Sequence, residues 1–595
     1  MKILNENIRI TSKTEYLIFS SLLFIIVFIY FSRYANHVLF FQEQQSLMIY
    51  LPEYLRKFIK KPGGILEFAG RFLTQFYLNS FAGAFIIASV LTLIGITLYR
   101  INSRLNPNFL FTTFTALIPP CVLLLMQSHY HYQMVYCLGY LFILICFLFL
   151  IKNGRSRARY AYPVLLPVIY YIAGGYALIF ICLYIIFSFI NENGVKKIVL
   201  SIYIIATAFI TIIISEKFLF IQPLKQLLTF PLPAVSNQLN RFLFLFLTGF
   251  IILYPLLFLK KVKPETVANI FFKLTGFIAA SLLLATTLFT LINRYDPQVA
   301  LVINLEKYAA EEEWDRVIRT HETYPSKNKI GQYFYNVAIS ETGQLCDRMF
   351  SGEQDFGVNA LFMPWDDEHL NWGAYAFYSI GLINEAHRWA YEEMVVNGFR
   401  PQNLKMLVKT NLINGNYKMV YKYTGILKRT IFYRKWAGEY ERVAGDTAGI
   451  SAIPSLAYKK EIMPHDNFFI FLETPHENLP LLVESNPKNL KAFEYLTAWL
   501  LLNKDVETVV RNIPKMKELG YTRLPRHIEE AVMIYLNTKG ALPDPGGFTI
   551  SYATMERFNR YVSAYSSLRQ RNALDSRTLE PEFGNTYWFY YHFRK

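Results

Sequence analysis

The chain has 595 residues, a net charge of +16, five cysteines and 17% aromatic residues, with 42 Tyr and 50 Phe. That length admits two or more domains, and the aromatic content suits rings that belt a membrane interface. In a chain with long apolar runs the positive charge serves topology and anionic lipid rather than nucleic acid, and Cys121, Cys137, Cys146, Cys182 and Cys346 build neither a disulfide framework nor a metal cluster.

The run from Tyr16 to Phe31 has no small-residue cleavage site behind it and reads as a retained first span. Hydropathy predicts spans at 15–32, 81–99, 108–126, 134–151, 198–215, 242–259 and 272–292. Between the fourth and fifth lies 161–190, longer than one crossing needs and interrupted by Pro163, Pro167 and Gly174-Gly175. The strongly basic short loops carry Arg100 and Arg104; Lys152, Arg155, Arg157 and Arg159; Lys196 and Lys197; and Lys260, Lys261 and Lys263. All four lie in the cytoplasm only if 161–190 returns to the side it came from, which gives about nine membrane segments with the N-terminus inside.

The loop 33–75 then lies outside the cytoplasm. Within it Leu47, Met48, Leu51, Leu55, Phe58 and Ile59 recur at helical spacing with Arg56, Lys57, Lys60 and Lys61 on other faces. This predicts a short interfacial helix that starts near Leu51-Pro52 and stops at Pro62-Gly63-Gly64. Glu43 lies close to the membrane surface, where a carboxylate is costly unless something uses or solvates it. The same topology brings His129, His131, Glu53, Glu67, Glu216, Arg56 and Arg71 to that face. These are groups that can act as acid, base or anion clamp, with Glu43 the candidate base, Arg56 and Arg71 the candidate anion clamp, and His129 and His131 candidate proton donors. The plainer reading makes the histidines headgroup anchors and the carboxylates merely solvated. No metal site and no cofactor is expected.

From Asp296 the pattern changes to alternating amphipathic helices, Val299–Glu311 with Trp314–His321, then Gly331–Phe350 across Gly343. Gly381-Leu382-Ile383-Asn384-Glu385-Ala386 and Gly415-Asn416-Tyr417-Lys418-Met419-Val420 are offset by 34 positions, the period of tetratricopeptide-like arrays. Helices return at Asn489–Leu502, Val506–Leu519, Pro525–Asn537 and Ser551–Arg571, and the aromatic tail Thr586–Phe593 is expected to dock on the array or on the membrane surface. Asp366-Asp367-Glu368 lacks calcium-loop spacing and reads as a solvated loop. The expected fold class is all-α, a polytopic transmembrane bundle at 1–293 followed by a soluble helical-repeat domain at 294–595.

Two resemblances extend this reading. The segments Gly63–Phe76, Gly381–Ala390 and Phe583–Trp588 look like a family of uncharacterised multi-pass bacterial membrane proteins. The first 290 residues or so are similar in layout to the C-type glycosyltransferases, with a first span, a long outer loop bearing an acidic residue, further spans and a C-terminal domain. That likeness implies a polyprenyl-phosphate-linked sugar as donor and an acidic base in the first loop, a place that Glu43, between Gln42 and Gln44, would fill without the usual acidic neighbour. The expected function is therefore a lipid-phosphate-sugar-dependent transferase in the bacterial cytoplasmic membrane, working at its outer face with the C-terminal domain extracytoplasmic. The alternative is a membrane-anchored scaffold whose array binds envelope proteins. A transporter ranks third, since 161–190 contains no Asp, Glu, Lys or Arg to mark an ion path.

Overall fold

The computed structural model describes residues 12–106, 111–152, 160–233, 238–258, 270–444, 447–451, 453–542, 544 and 546–594. The basic clusters at 155–159 and 260–263, and the start of the span expected at 108, lie outside them. No strand occurs among the described residues, and the chain divides into two units, Met1–Asp296 and Pro297–Lys595.

The first unit is a bundle of apolar helices: α1 (Ser12–Ile29), α5 (Ser80–Leu105), α6 (Thr112–Gln127), α7 (Met134–Lys152), α8 (Ala161–Ala173), α9 (Ala177–Asn191), α10 (Val195–Ile214), α12 (Gln238–Leu253) and α13 (Ile270–Arg294). Between α1 and α5 lie α2 (Asn36–Gln44), α3 (Pro52–Ile59) and α4 (Gly64–Thr74), and α11 (Leu224–Thr229) precedes α12. Seven described helices are long and apolar enough to cross a membrane, with Thr112–Gln127 a shorter apolar one. Inward, Leu23, Val27, Ile87, Leu91, Leu117 and Ile143 form a dry core. Outward, Ile202, Phe209, Phe242 and Phe289 each expose more than half of their surface, a belt that water would penalise and acyl chains accept. This is a membrane protein.

The stretch Ala161–Asn191 is apolar throughout and 31 residues long, yet it is not one straight rod. Tyr162 lies 18 positions before Phe180, about 27 Å along an ideal helix, but their ring centroids are 6.3 Å apart. The chain turns back at Gly174, whose φ of +58° with ψ of −131° is strained for any residue with a Cβ. Beyond the turn α9 runs alongside α7 in the same direction, with Tyr176 5.2 Å from Tyr140 and Phe187 5.7 Å from Phe147.

The second unit is a succession of helical hairpins. Its main helices are α14 (Pro297–Ala310), α15 (Trp314–Thr323), α16 (Lys329–Glu341), α17 (Leu370–Ser379), α18 (Ile383–Asn397), α19 (Pro401–Ile413), α20 (Tyr417–Leu427), α21 (Arg434–Val443), α22 (Leu490–Leu502), α23 (Arg526–Lys539), α24 (Tyr552–Gln570), α25 (Ser576–Phe583) and α26 (Tyr587–Phe593). One turn recurs between hairpin partners, a left-handed residue followed by an N–H that reaches back five residues, as in Gln344 to Ile339 O, Leu382 to Phe377 O and Asn416 to Asn411 O. Glycine holds the left-handed position at 343, 381, 415 and 520, of which 381 and 415 are the pair offset by 34, whereas Glu312, Lys504 and Asn572 hold it in further copies that no glycine marks.

The aromatic tail docks within this unit rather than hanging free. Trp588 and Tyr587 are fully buried, Trp588 Nε1 donates to Glu530 O at 2.7 Å, and Tyr587 N–H donates to Glu530 Oε2 at 2.7 Å. Residues 576–593, which the sequence pattern leaves unassigned, form α25 and α26.

Candidate functional site

The first loop folds over one end of the bundle. On α2, Gln42 donates to Tyr132 O at 2.9 Å and accepts from Gln127 at 3.2 Å, so α2 is tied to the turn between α6 and α7. Glu43, the next residue, faces into the protein instead. It is 2% exposed and accepts from Gln44 Nε2 at 2.7 Å.

Pro52 occupies the first turn of α3, where its missing N–H costs nothing. Phe58 is buried against Phe68, while Leu55 and Ile59 stay exposed with Arg56, Lys57 and Lys60, the pattern of a helix lying in an interface. Leu47 and Met48 are buried, and belong to the extended segment before α3.

Glycines then set the position of α4. Gly63 has φ of +73° and donates to Tyr171 O at 2.9 Å, and its Cα lies 3.2 Å from where a Cβ on Gly174 would be. A Cβ on Gly70 would fall 2.9 Å from Val135 Cβ, so α4 and α7 touch backbone to side chain. From α4, Glu67 receives Arg71 Nη2 at 2.9 Å and Lys61 Nζ at 2.5 Å. The Lys61 ammonium also sits 4.3 Å from the centre of the Phe230 ring, and the Arg71 guanidinium 5.5 Å from that of Phe58. Burial alone would lower the pKa of Arg71, but Glu67 and Tyr54 beside it outweigh that and hold it above its usual value.

These elements enclose a cleft of about 100 Å³ lined by Gln42, Gln45, Glu67, Arg71, Thr74 and His131, among others. His131 packs edge-on to Phe41 at 5.2 Å, and its N–H donates to His129 Nδ1 at 3.3 Å. Burial lowers the pKa of both histidines, and for His129 the charges of His131 and Arg294 add to it. Both rings therefore favour the neutral form more than a free imidazole does. With Lys61 and Arg71 against Glu67 the ionic trio carries one net positive charge, which suits a singly charged oxyanion.

Of the residues singled out from sequence, Arg71 and His131 share this cleft. His129 stacks on Tyr130 at 4.8 Å and supports His131 without lining the cleft, Arg56 is exposed on α3, and Glu43 is buried behind Gln42. The cleft's carboxylate is Glu67. Its pairing with Arg71 is an i,i+4 contact readable in the sequence, whereas the approach of Lys61 depends on the Gly63-Gly64 turn. Among the described residues, no three or more His, Cys, Asp or Glu side chains are grouped to hold a metal ion.

A family model matches residues 12–594, that is, both the bundle with its cleft and the hairpin unit. The chain belongs to DUF6057, a family of unknown function. The resemblance to an uncharacterised membrane family thus holds over nearly the whole of this DUF6057 chain, while nothing found in comparison supports the likeness to C-type glycosyltransferases. No curated protein and no solved structure matches the chain.

Proposed function

We propose that the cleft binds the phosphate of a lipid-linked donor, such as a polyprenyl-phosphate sugar, and that the protein is a transferase working from that donor at the outer membrane face. The observation that carries this reading is the convergence of Arg71, Glu67 and His131 in one cleft beside an interfacial helix, with Lys61 paired to the same Glu67 carboxylate. Arg71 clamps the phosphate, Glu67 holds Arg71 and Lys61 in place, and His131 takes the proton of the acceptor hydroxyl. The base role moves from Glu43 to His131 in this scheme, because Glu43 does not line the cleft.

Vesicles containing polyprenyl phosphate provide the test. Arg71→Ala is expected to weaken retention of the lipid at least about tenfold, a charge-assisted hydrogen bond being worth about 1.5–3 kcal/mol, whereas Arg56→Ala stays within about twofold. His131→Gln leaves retention intact and lowers transfer about 10²-fold. Transfer by the wild type falls on acidification as His131 becomes protonated. Equal retention by Arg71→Ala and Arg56→Ala would refute the assignment.

The same reading has nine membrane segments, an inner N-terminus and an outer second unit whose hairpins form a tetratricopeptide-like array. It is supported by contacts between helix ends. Arg33 lies over Phe81, Arg294 donates to Leu125 O at 2.9 Å and Asn240 Oδ1 at 2.8 Å, and Tyr171 stacks on Phe220 at 6.2 Å. The end of α1 thus meets the start of α5, the end of α13 meets the end of α6 and the start of α12, and the end of α8 meets the end of α10, in keeping with alternating passage. Reporters fused after Arg104, Arg157, Lys197 and Lys261 are expected to read cytoplasm, and those after Lys61, His131 and Tyr295 the exterior. A cytoplasmic signal at Tyr295 would exclude this topology.

A second reading, an anchored array that holds envelope proteins, is favoured by a groove of about 840 Å³ in the second unit, lined by Phe356, Trp365, His476 and Trp499. Aromatic side chains of this kind are what protein interfaces enrich.

A further inference from the structure

The second unit contains a smaller cavity whose chemistry differs from that of the groove. About 150 Å³ in volume, it lies among the α14–α15 turn, α17, α19 and α21. A cavity of this size accommodates a single six-membered ring. Trp314, Trp436, Tyr375 and Tyr378 supply its walls, and Gln402, Lys405 and Lys409 reach it from one face of α19.

Its charges balance, with Glu311, Glu312 and Glu341 beside Lys405, Lys409 and the adjoining Lys459, and the Lys405 ammonium lies 5.6 Å from the centre of the Trp436 ring. Lys409 pairs with Glu312, and Lys459 pairs with Glu341 at 2.9 Å while donating to Ser379 O at 2.8 Å. A ligand with net charge would have to break one of these pairs in a half-enclosed place, leaving an uncompensated ion. A hydroxyl group accepts from a lysine and donates to a carboxylate at once, so it inserts without displacing either. Several hydroxyls on an apolar-faced ring between aromatic walls make the matching ligand.

Glu312 adds an independent observation. It sits at φ of +59° in the turn where four other copies use glycine, a strained conformation for a residue with a side chain. Lys504, another such residue, uses its side chain to hold the docked tail, donating to Arg594 O at 2.6 Å. Glu312 uses its own to bring a carboxylate onto Lys409 at the cavity.

We propose that this cavity is a saccharide-binding site that takes one uncharged pyranose ring between Trp314 and Trp436, with Gln402, Lys409 and Glu312 on its hydroxyls. This inference stands independently of the cleft in the first unit.

The test uses the full chain in lipid nanodiscs prepared without sugar-headgroup detergent, with saturation-transfer NMR to follow binding. The probes are the methyl glycosides of glucose, galactose, mannose and N-acetylglucosamine up to about 100 mM, a range that reaches weak binders, with glucuronate and choline as charged comparisons. At least one neutral glycoside is expected to bind saturably, and Trp436→Ala and Gln402→Ala are each expected to weaken it about tenfold or more. Gln402 is partly exposed, so Gln402→Ala is expected to keep the wild-type unfolding midpoint and to report on the site should Trp436→Ala fail to fold. Saturable binding of glucuronate or choline alone, no saturation by any neutral glycoside, or unchanged binding in a folded Gln402→Ala variant would each overturn the proposal.

Discussion

Gly174→Val is expected to collapse the cleft end of the membrane unit, lowering its stability by about 3–5 kcal/mol, the sum of a left-handed β-branched residue and an overpacked contact. A Cβ there would lie 2.3 Å from Phe230 O and 2.9 Å from Pro231 Cδ, both backbone-fixed atoms that cannot swing away. Gly63, across the contact, has its own positive φ and lies so close that a Cβ on it would fall 2.6 Å from Pro231 Cδ, so the two segments cannot make room without moving the start of α4. Glu67 and Arg71 would move with it. Gly249→Ala in α12 is the control, because nothing lies within 4 Å of its Cβ and a helical alanine is favoured by about 0.5–1 kcal/mol. Thermal unfolding in nanodiscs should therefore show a large drop for Gly174→Val and no drop for Gly249→Ala. Similar midpoints for the two variants would mean that the glycine crossing does not hold α4.

Glu530→Ala is expected to be the most damaging single change in the second unit, at about 3–5 kcal/mol, because it removes one partner from a buried ionic group. The carboxylate is fully buried and receives Arg526 at 3.0 Å, Arg557 at 2.8 Å, His527 at 2.8 Å and the Tyr587 N–H at 2.7 Å. Two guanidinium groups and a buried N–H would be left without it. The docked tail should come loose, so limited proteolysis is expected to cut near 584–593 in Glu530→Ala and to spare the wild type. Urea denaturation gives the size of the loss. Glu530→Gln, which keeps an acceptor for the Tyr587 N–H, should lose less. A tail that stays protease-resistant in Glu530→Ala would show that burial of Trp588 alone suffices to hold it.

Several elements of both units follow from sequence patterns that act locally. Mean hydropathy over a helix length marks the apolar helices, Pro52 marks the start of the interfacial helix, and glycine marks four of the recurrent turns, since each depends on neighbours within a few residues. The reversal at Gly174 follows from the backbone freedom of the glycine pair that interrupts the apolar run. The candidate site was legible only in part, in the Arg71 and His131 that its cleft shares.

Tertiary structure decided the remainder. Glu43 and Gln42 are adjacent, polar and both buried, and only Gln42, held by Gln127 and Tyr132 over eighty positions away, lines the cleft. Lys61 reaches Glu67 because Gly63 crosses Gly174 and Pro231, contacts more than a hundred residues apart that no periodicity encodes. Glu312 and Lys504 adopt the glycine conformation because the hairpins they join and the partners they reach, Lys409 and the Arg594 carbonyl, hold them there. A local preference states what a residue does most cheaply, and these positions are set by distant contacts strong enough to override it.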